Sequence, residues 1–232
     1  MPGRFARGPG GVGRRRGDPV ARPMEWDFGA LGLPGRYKLL VALVTPRPIA
    51  FVSTRGRDGV DNAAPFSFFN VLADDPPIVI VSIERRSDGR SKDSGRNILE
   101  TGEFVVNMVD EDLLERMHLC SVEFPSEVSE FAQAGLTAAP ARQVAAPLIA
   151  EAPVSMECRL HTRVPFEKRD LVIGGIVWLH VRDGIVDPQT LRVTADYAPV
   201  GRLYANLYTR TRDRVALDQN AYVEAMRRLG RV

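Results

Sequence analysis

The chain has 232 residues, of which 44% are hydrophobic and 26% charged. That is enough for one large β domain, or two small ones, with a sizeable core. The formal charge of +2 is unevenly placed: residues 1–23 hold six arginines and one aspartate, a net of +5, which leaves −3 for the other 209 residues. The body is therefore mildly acidic, and nothing in it favours nucleic acid as a partner. Two cysteines, Cys120 and Cys158, argue against a disulfide scaffold and fit a reducing compartment, the cytoplasm. No apolar run reaches 18 residues, so no membrane helix is expected, and the N-terminus lacks the apolar stretch of a secretory signal.

Residues 1–23 are rich in Gly, Pro and Arg and too poor in large apolar side chains to offset their ordering entropy. They are expected to have no folded role, either as a disordered basic tail or because the functional start is Met24. One domain is expected over residues 24–232. Residues 33–35 (Leu-Pro-Gly) signal a turn, and residues 37–44 read as a short helix or the start of a strand. Pro46 and Pro48 hold Arg47 in stiff, extended backbone. Residues 49–54 form an apolar strand, Asp58-Gly59 a hairpin turn and residues 60–66 the returning strand. Residues 67–70 read as a turn. After Asp74-Asp75-Pro76-Pro77, residues 78–83 form a buried strand.

Residues 87–94 are a polar loop, from which Asp93 or Ser94 caps a helix over residues 96–100 that Thr101-Gly102 ends. Residues 104–109 form the next strand. Residues 111–119 and 128–134 read as helices, with Gly135 as a C-terminal cap. The Ala/Pro-rich residues 137–153 wrap the surface. Residues 154–164 and 171–181 are long strands, the second with Gly174-Gly175 as a bulge or point of close approach. Asp183-Gly184 makes a further turn, and residues 218–229 form a last helix. Six or more strands with hairpin turns and few helices indicate an antiparallel barrel.

Three groups of residues carry chemistry. Ser91, Lys92, Asp93 and Ser94 stand at a loop-to-helix junction, where an ammonium, hydroxyls and a helix N-terminus suit a phosphate; alone, Lys92 also reads as a solvated loop lysine. Ser67, Phe68, Phe69 and Asn70 offer a hydroxyl, an amide that both donates and accepts, and rings that cover a heterocycle; alone they also read as core aromatics beside a turn. Ser53 and Thr54 end a strand, within reach of a ligand or engaged in ordinary strand-end hydrogen bonds. His118, Cys120, Cys158, His161 and His180 match no zinc spacing, so no metal is expected. No G-x-S-x-G, P-loop or G-x-G-x-x-G is present, and no catalytic side chain is assigned.

Taken together, PRPIAFVST (46–54), the Asp58-Gly59 hairpin, NAAPFSFFN (62–70), DDPP (74–77), SKDSGRNI (91–98) and TGEFVVN (101–107) resemble, in this order, the flavin reductase-like family of FMN-binding split-barrel proteins that includes flavoredoxin. The resemblance covers about residues 24–205. It implies a mainly β, six-stranded antiparallel split barrel with a few peripheral helices. It also implies a homodimer with FMN near its interface, NAD(P)H as electron donor, and a flavin-dependent monooxygenase as a partner class. By the same resemblance, Ser53 and Thr54 touch the phosphate or the flavin edge. Ser67, Phe68, Phe69 and Asn70 hold the isoalloxazine and ribityl groups. Ser91, Lys92, Asp93 and Ser94 cradle the phosphate, with Arg47 and Arg90 as helpers. The chain departs from the pattern in two places. Arg169 or Asp170 stands where many members carry a nicotinamide-linked His, and Arg202-Leu203-Tyr204-Ala205 stands for Arg-Leu-Gly-Gly. Both departures bear on the nucleotide donor rather than on FMN.

Overall fold

The computed structural model describes residues 23–217 and 219–231, so the expectations for residues 1–22 and for Asp218 lie outside it. The described residues fall into two compact units that divide between Leu39 and Leu40. In the first, the Gly29 N–H donates to Asp27 Oδ1 at 2.7 Å ahead of α1 (Leu33–Leu43). The Leu-Pro-Gly signal is the first turn of this helix, where a proline gives up no intrahelical bond.

The second unit is built on β1 (Ala50–Arg55), β2 (Asp61–Phe66), β3 (Phe69–Asp74), β4 (Pro77–Glu84), α2 (Asp93–Thr101) and β5 (Glu103–Asn107). There follow α3 (Leu114–Leu119), α4 (Glu130–Gln133), β6 (Ala138–Ala139), β7 (Leu148–Ile149), β8 (Val154–Pro165) and β9 (Arg169–Val181). The last elements are β10 (Val200–Arg202), β11 (Tyr208–Arg210) and α5 (Gln219–Arg228). Seven strands form one antiparallel sheet in the order β2-β1-β5-β8-β9-β4-β3.

That order dictates closure. Laid flat, the two edge strands would be about 29 Å apart at the usual strand spacing. Yet β2 ends at Phe66 and β3 starts at Phe69, and three Cα–Cα steps reach at most about 11 Å. The sheet must curl until its edges nearly meet, which is the expected split barrel. It has seven strands rather than six. The extra one is β3, which begins at Phe69 inside the stretch expected to be a turn. As an edge strand exposing Val71 and Leu72, it lacks the alternation that would have marked it.

Strand β1 reads as a continuous apolar run because both its faces are covered. Ala50 and Val52 face the barrel interior with Val79, Val81, Phe104, Val106, Cys158 and Val172. Ile49 and Phe51 face an outer core with Val109, Leu113, Met117 and Phe131. Residues 137–153 are a strap rather than a surface wrap. Glu157 Oε1 and Oε2 accept from the Arg142 and Gln143 N–H groups at 2.8 and 2.6 Å, and Glu103 Oε2 accepts from Ala145 N–H at 2.7 Å. Asn107 Oδ1 accepts from Ile149 N–H at 3.1 Å. Val144, Ala146 and Leu148 fill a third core against Val105.

Gly102, at φ 74°, ends α2 as expected. The start of α2 differs from expectation. Its N-cap is Lys92, no cap side chain bonds to it, and Asp93 and Ser94 lie in its first turn. Among the described residues no helix is long and apolar enough to cross a membrane.

Gly174 is a point of close approach. A Cβ there would lie 2.3 Å from Phe104 Cζ in the packed interior, whereas at Gly175 the nearest atom is 4.0 Å away. Gly174→Ala is therefore expected to cost about 1–3 kcal/mol, as overpacking does. Gly175→Ala should change stability by less than about 0.5 kcal/mol. Urea unfolding of the two variants measures the contrast.

Candidate functional site

The most chemically loaded place in the barrel is the start of α2. The first intrahelical bond runs from Arg96 N–H to the Lys92 carbonyl at 2.9 Å, so the N–H groups of Asp93, Ser94 and Gly95 precede the ladder and point out of the helix. Asp93 and Ser94 line a cavity of about 100 Å³ walled also by Asn62, Pro65, Phe66, Lys92 and Phe124. A second, larger cavity of about 600 Å³ shares Arg86, Lys92 and Glu123 with it and runs on to Glu84 and Lys168. Together they form one groove, with a helix N-terminus at one end and aromatic and apolar side chains on its wall.

Two cations stand there, each against a carboxylate. Lys92 Nζ lies 2.7 Å from Glu123 Oε1. Arg86 donates to Asp93 Oδ2 at 2.7 Å. Asp93 is held in place, because its Oδ1 also accepts from Ser126 Oγ at 2.8 Å and pairs with Arg96 at 2.9 Å. Ser94 Oγ accepts from Asn62 Nδ2 at 2.8 Å, and a hydroxyl that accepts one bond still has its O–H to give. Glu130 forms part of the floor, accepting from Ala63 N–H at 3.2 Å; burial pushes its carboxyl above the usual range. Cys120 lies beside it, and burial pushes its thiol up to about 12, so it is no nucleophile at neutral pH.

The structure sorts the residues expected at the site. Lys92 and Ser94 are in the groove, and Ser91 adjoins it at the end of the loop, bridged to Arg85. Asp93 lines the groove too, with its carboxylate engaged by Arg86, Arg96 and Ser126. Arg90 is exposed and engaged with Asp88 at 2.7 Å. Arg47 is buried, and its guanidinium donates to the carbonyls of Val41 and Val44 at 2.6 and 2.7 Å and of Leu203 at 2.5 Å. It fastens chain segments together and does not reach the groove.

Ser53 and Thr54 are buried on opposite faces of β1. Ser53 Oγ donates to the Pro147 carbonyl at 2.5 Å, under the strap. Thr54 Oγ1, on the face of α2, accepts from Asn97 Nδ2 at 3.0 Å. Neither hydroxyl lines the groove.

At the β2–β3 link, Ser67 Oγ accepts from Arg47 Nε at 3.3 Å. Phe69 belongs to the barrel core, 7% exposed, and does not line the groove. Asn70 points outward, with Oδ1 accepting from Val71 N–H at 2.9 Å. Phe68 meets a second arginine: the Arg169 guanidinium lies 4.8 Å from its ring centroid and pairs with Glu84 at 3.3 Å.

The two departures have different fates. Arg169 adjoins the outer end of the groove through Glu84 and Lys168, which line it, and does not line it itself. Asp170 is buried, and desolvation of its charge is outweighed by hydrogen bonds from Arg85 and Arg163, which hold its carboxyl below the ordinary range. Arg202 stacks over the Tyr208 ring at 4.6 Å and donates to the Tyr208 hydroxyl and the Ala205 carbonyl.

The sequence reading missed Arg86, Asn62, Phe124 and Glu123. Arg86 is one of three arginines in six residues, and no spacing separates it from Arg85 and Arg90. Glu123 is close only through folding, 31 residues from Lys92 along the chain.

Comparison with known proteins gives the site a family context. Residues 43–201 match the model of the flavin reductase like domain. An uncharacterized protein of Aquifex aeolicus is 46% identical over 175 residues, covering 75% of this chain and 89% of its own. Pseudomonas fluorescens 2-nitrobenzoate 2-nitroreductase is 38% identical with a TM-score of 0.78, over 84% of this chain and 95% of that one. Nitrilotriacetate monooxygenase component B from Bacillus cereus is 32% identical with a TM-score of 0.81, over 85% and 100%.

Asp170→Asn leaves two arginines without their shared carboxylate and is expected to cost about 2–3 kcal/mol at pH 7. Because the folded-state carboxyl titrates below its unfolded value, this contribution is complete above about pH 4 and is lost as pH falls through the folded value. The gap between variant and wild type in urea unfolding should therefore narrow on acidification from pH 7 to pH 3.

Proposed function

The chain belongs to the flavin reductase-like family, the FMN-binding split-barrel proteins, and from that premise we propose that it is an FMN-binding oxidoreductase that passes hydride from a nicotinamide nucleotide to flavin. The observation that carries this reading is the uncapped start of α2, opening with Lys92, Arg86 and the Ser94 hydroxyl into the groove. This donor set fits a phosphate monoester: a point charge, a guanidinium fork, a hydroxyl and oriented backbone N–H groups. The groove then runs on past Pro65 and Phe66, whose apolar surfaces suit a planar ring.

In this reading Lys92, Arg86 and Ser94 hold the phosphate end, with Asp93 fixing Arg86 and Asn62 fixing Ser94. Phe66 and Phe68 border the ring end. FMN, when bound, supplies the ring that takes up and passes on the hydride, so no side-chain acid or base is assigned. Arg169, adjoining the outer end of the groove, is the residue we assign to the anionic groups of the nucleotide donor. The assembly we propose is a homodimer, for which Val177 and Leu179 of β9 expose apolar surface. Similarity to a monooxygenase component B favours a flavin-dependent monooxygenase as partner.

A second reading is favoured by the similarity to 2-nitrobenzoate 2-nitroreductase: a flavin held in place while a specialised organic substrate is reduced. The missing family His favours a third, an electron carrier without nucleotide turnover.

Purified full-length protein is expected to show a flavin spectrum, or to acquire one with added FMN, and to oxidise NADH or NADPH when FMN is supplied. A protein that takes up no FMN rejects the proposal; one that binds FMN and oxidises neither nucleotide is a carrier. Lys92→Met should weaken FMN binding about tenfold or more, the effect of losing one charged phosphate contact. Riboflavin, which lacks the phosphate, should bind with nearly unchanged affinity. Arg169→Ala should raise KM for the nucleotide and leave the Kd for FMN within about twofold, since a cation outside the groove acts on the incoming anion.

A further inference from the structure

The cations of the groove differ in how firmly they are held. Arg86 is oriented by Asp93, which is in the first turn of α2 and fixed by Ser126 and Arg96 as well. Lys92 is bound by Glu123, whose side chain is 59% exposed and belongs to the segment between α3 and α4. Glu123 lines both cavities of the groove, as Lys92 does. Its carboxylate therefore stands in the space that an anion must enter to meet the Lys92 ammonium.

Resting on the flavin reading above, we propose that Glu123 is the affinity-setting residue of this groove, a built-in counter-ion that competes with the flavin phosphate for Lys92 and keeps FMN exchangeable. The hydrogen bond and charge of Lys92 hold the Glu123 carboxyl below its ordinary range, so at neutral pH it is fully anionic. An exposed ion pair of this kind is weak, so the competitor lowers affinity by a modest factor and does not shut the site. A dianionic phosphate must displace Glu123 or sit beside it, and both lower affinity for FMN. A flavin without a phosphate does neither. Glu123 thus acts on one end of one ligand, and a protein built this way releases FMN more readily than its cations alone would allow. That suits a reductase whose flavin leaves to serve a second protein.

The test is titration of full-length protein with FMN and with riboflavin, followed by flavin fluorescence, for wild type, Glu123→Gln, Lys92→Met and the double variant. Glu123→Gln is expected to tighten FMN about fivefold, the scale of one exposed ion pair, and to leave riboflavin unchanged. In the Lys92→Met background the gain should fall below about twofold, because the competition has lost its object. An FMN-to-riboflavin affinity ratio unchanged by Glu123→Gln overturns the role of Glu123 while leaving the flavin reading intact. An equal gain in both backgrounds overturns it too, by showing a general charge effect. Binding of neither flavin to wild type overturns both readings together. Glu123→Ala is a second variant with the same expectation, and its far-UV circular dichroism and urea midpoint, matched to wild type, confirm that the fold is kept.

Discussion

The constraint on which this protein depends is the two-residue link, Ser67-Phe68, between the two edges of its main sheet. It makes the sheet close, and closure gives the barrel its interior. It also brings the end of β2 toward the ends of β4 and β9, so that Phe68 meets Arg169 across the seam. Arg47 secures the link by donating to Ser67 while it holds the carbonyls of Val41, Val44 and Leu203. An arginine that the sequence offers as a phosphate ligand is thus spent on the seam beside which the groove lies. Removing it would leave three carbonyls without this donor, that of Val41 in a buried position.

The groove takes its properties from the contrast with that interior. Buried polar groups here are matched to fixed partners: Asn107 to Phe51, Ser53, Ile149 and Ser155, and Asp170 to Arg85 and Arg163. At the start of α2 one pairing, Lys92 with Glu123, is more exposed, and the helix dipole is uncapped. Buried pairs hold a shape. An exposed pair beside a positive helix end leaves charge open to exchange with a solvent anion.

Much of the framework was legible in the residues. Asp58-Gly59 and Gly102 announce backbone turns that only a few residues accept, and the long alternating runs announce β8 and β9. The site was legible as an ordered set of motifs and less so residue by residue. The two-residue period of a strand already sends the side chains of Ser53 and Thr54 to opposite faces. Applying it would have separated them without coordinates, whereas Phe69 and Asn70 are separated only once β3 is seen to start inside the expected turn. The N-cap was misread because Asp and Ser are the usual caps, yet here Asp93 has Arg86, Arg96 and Ser126 to bind and Ser94 has Asn62. Glu123 and Asn62 reach the groove only through tertiary folding, and no local pattern announces such contacts.

The strap of residues 137–153 has little regular secondary structure, and its Ala/Pro composition gives it the look of a linker. Its backbone is nevertheless tied down by side chains from the barrel, above all by the buried Glu157. Desolvation opposes that charge, but bonds from His180 and from the Arg142 and Gln143 N–H groups outweigh it and hold its carboxyl below the usual range. In terms of hydrogen exchange, the amides of residues 142–145 do not belong with those of a free loop. They open only when Glu157 and Glu103 release them, and release of Glu157 would bare a carboxylate over a closed apolar layer. A segment with little strand or helix is thereby expected to exchange more slowly than an unbonded loop, and a protease that cuts exposed loops would find there a chain already tied to the barrel.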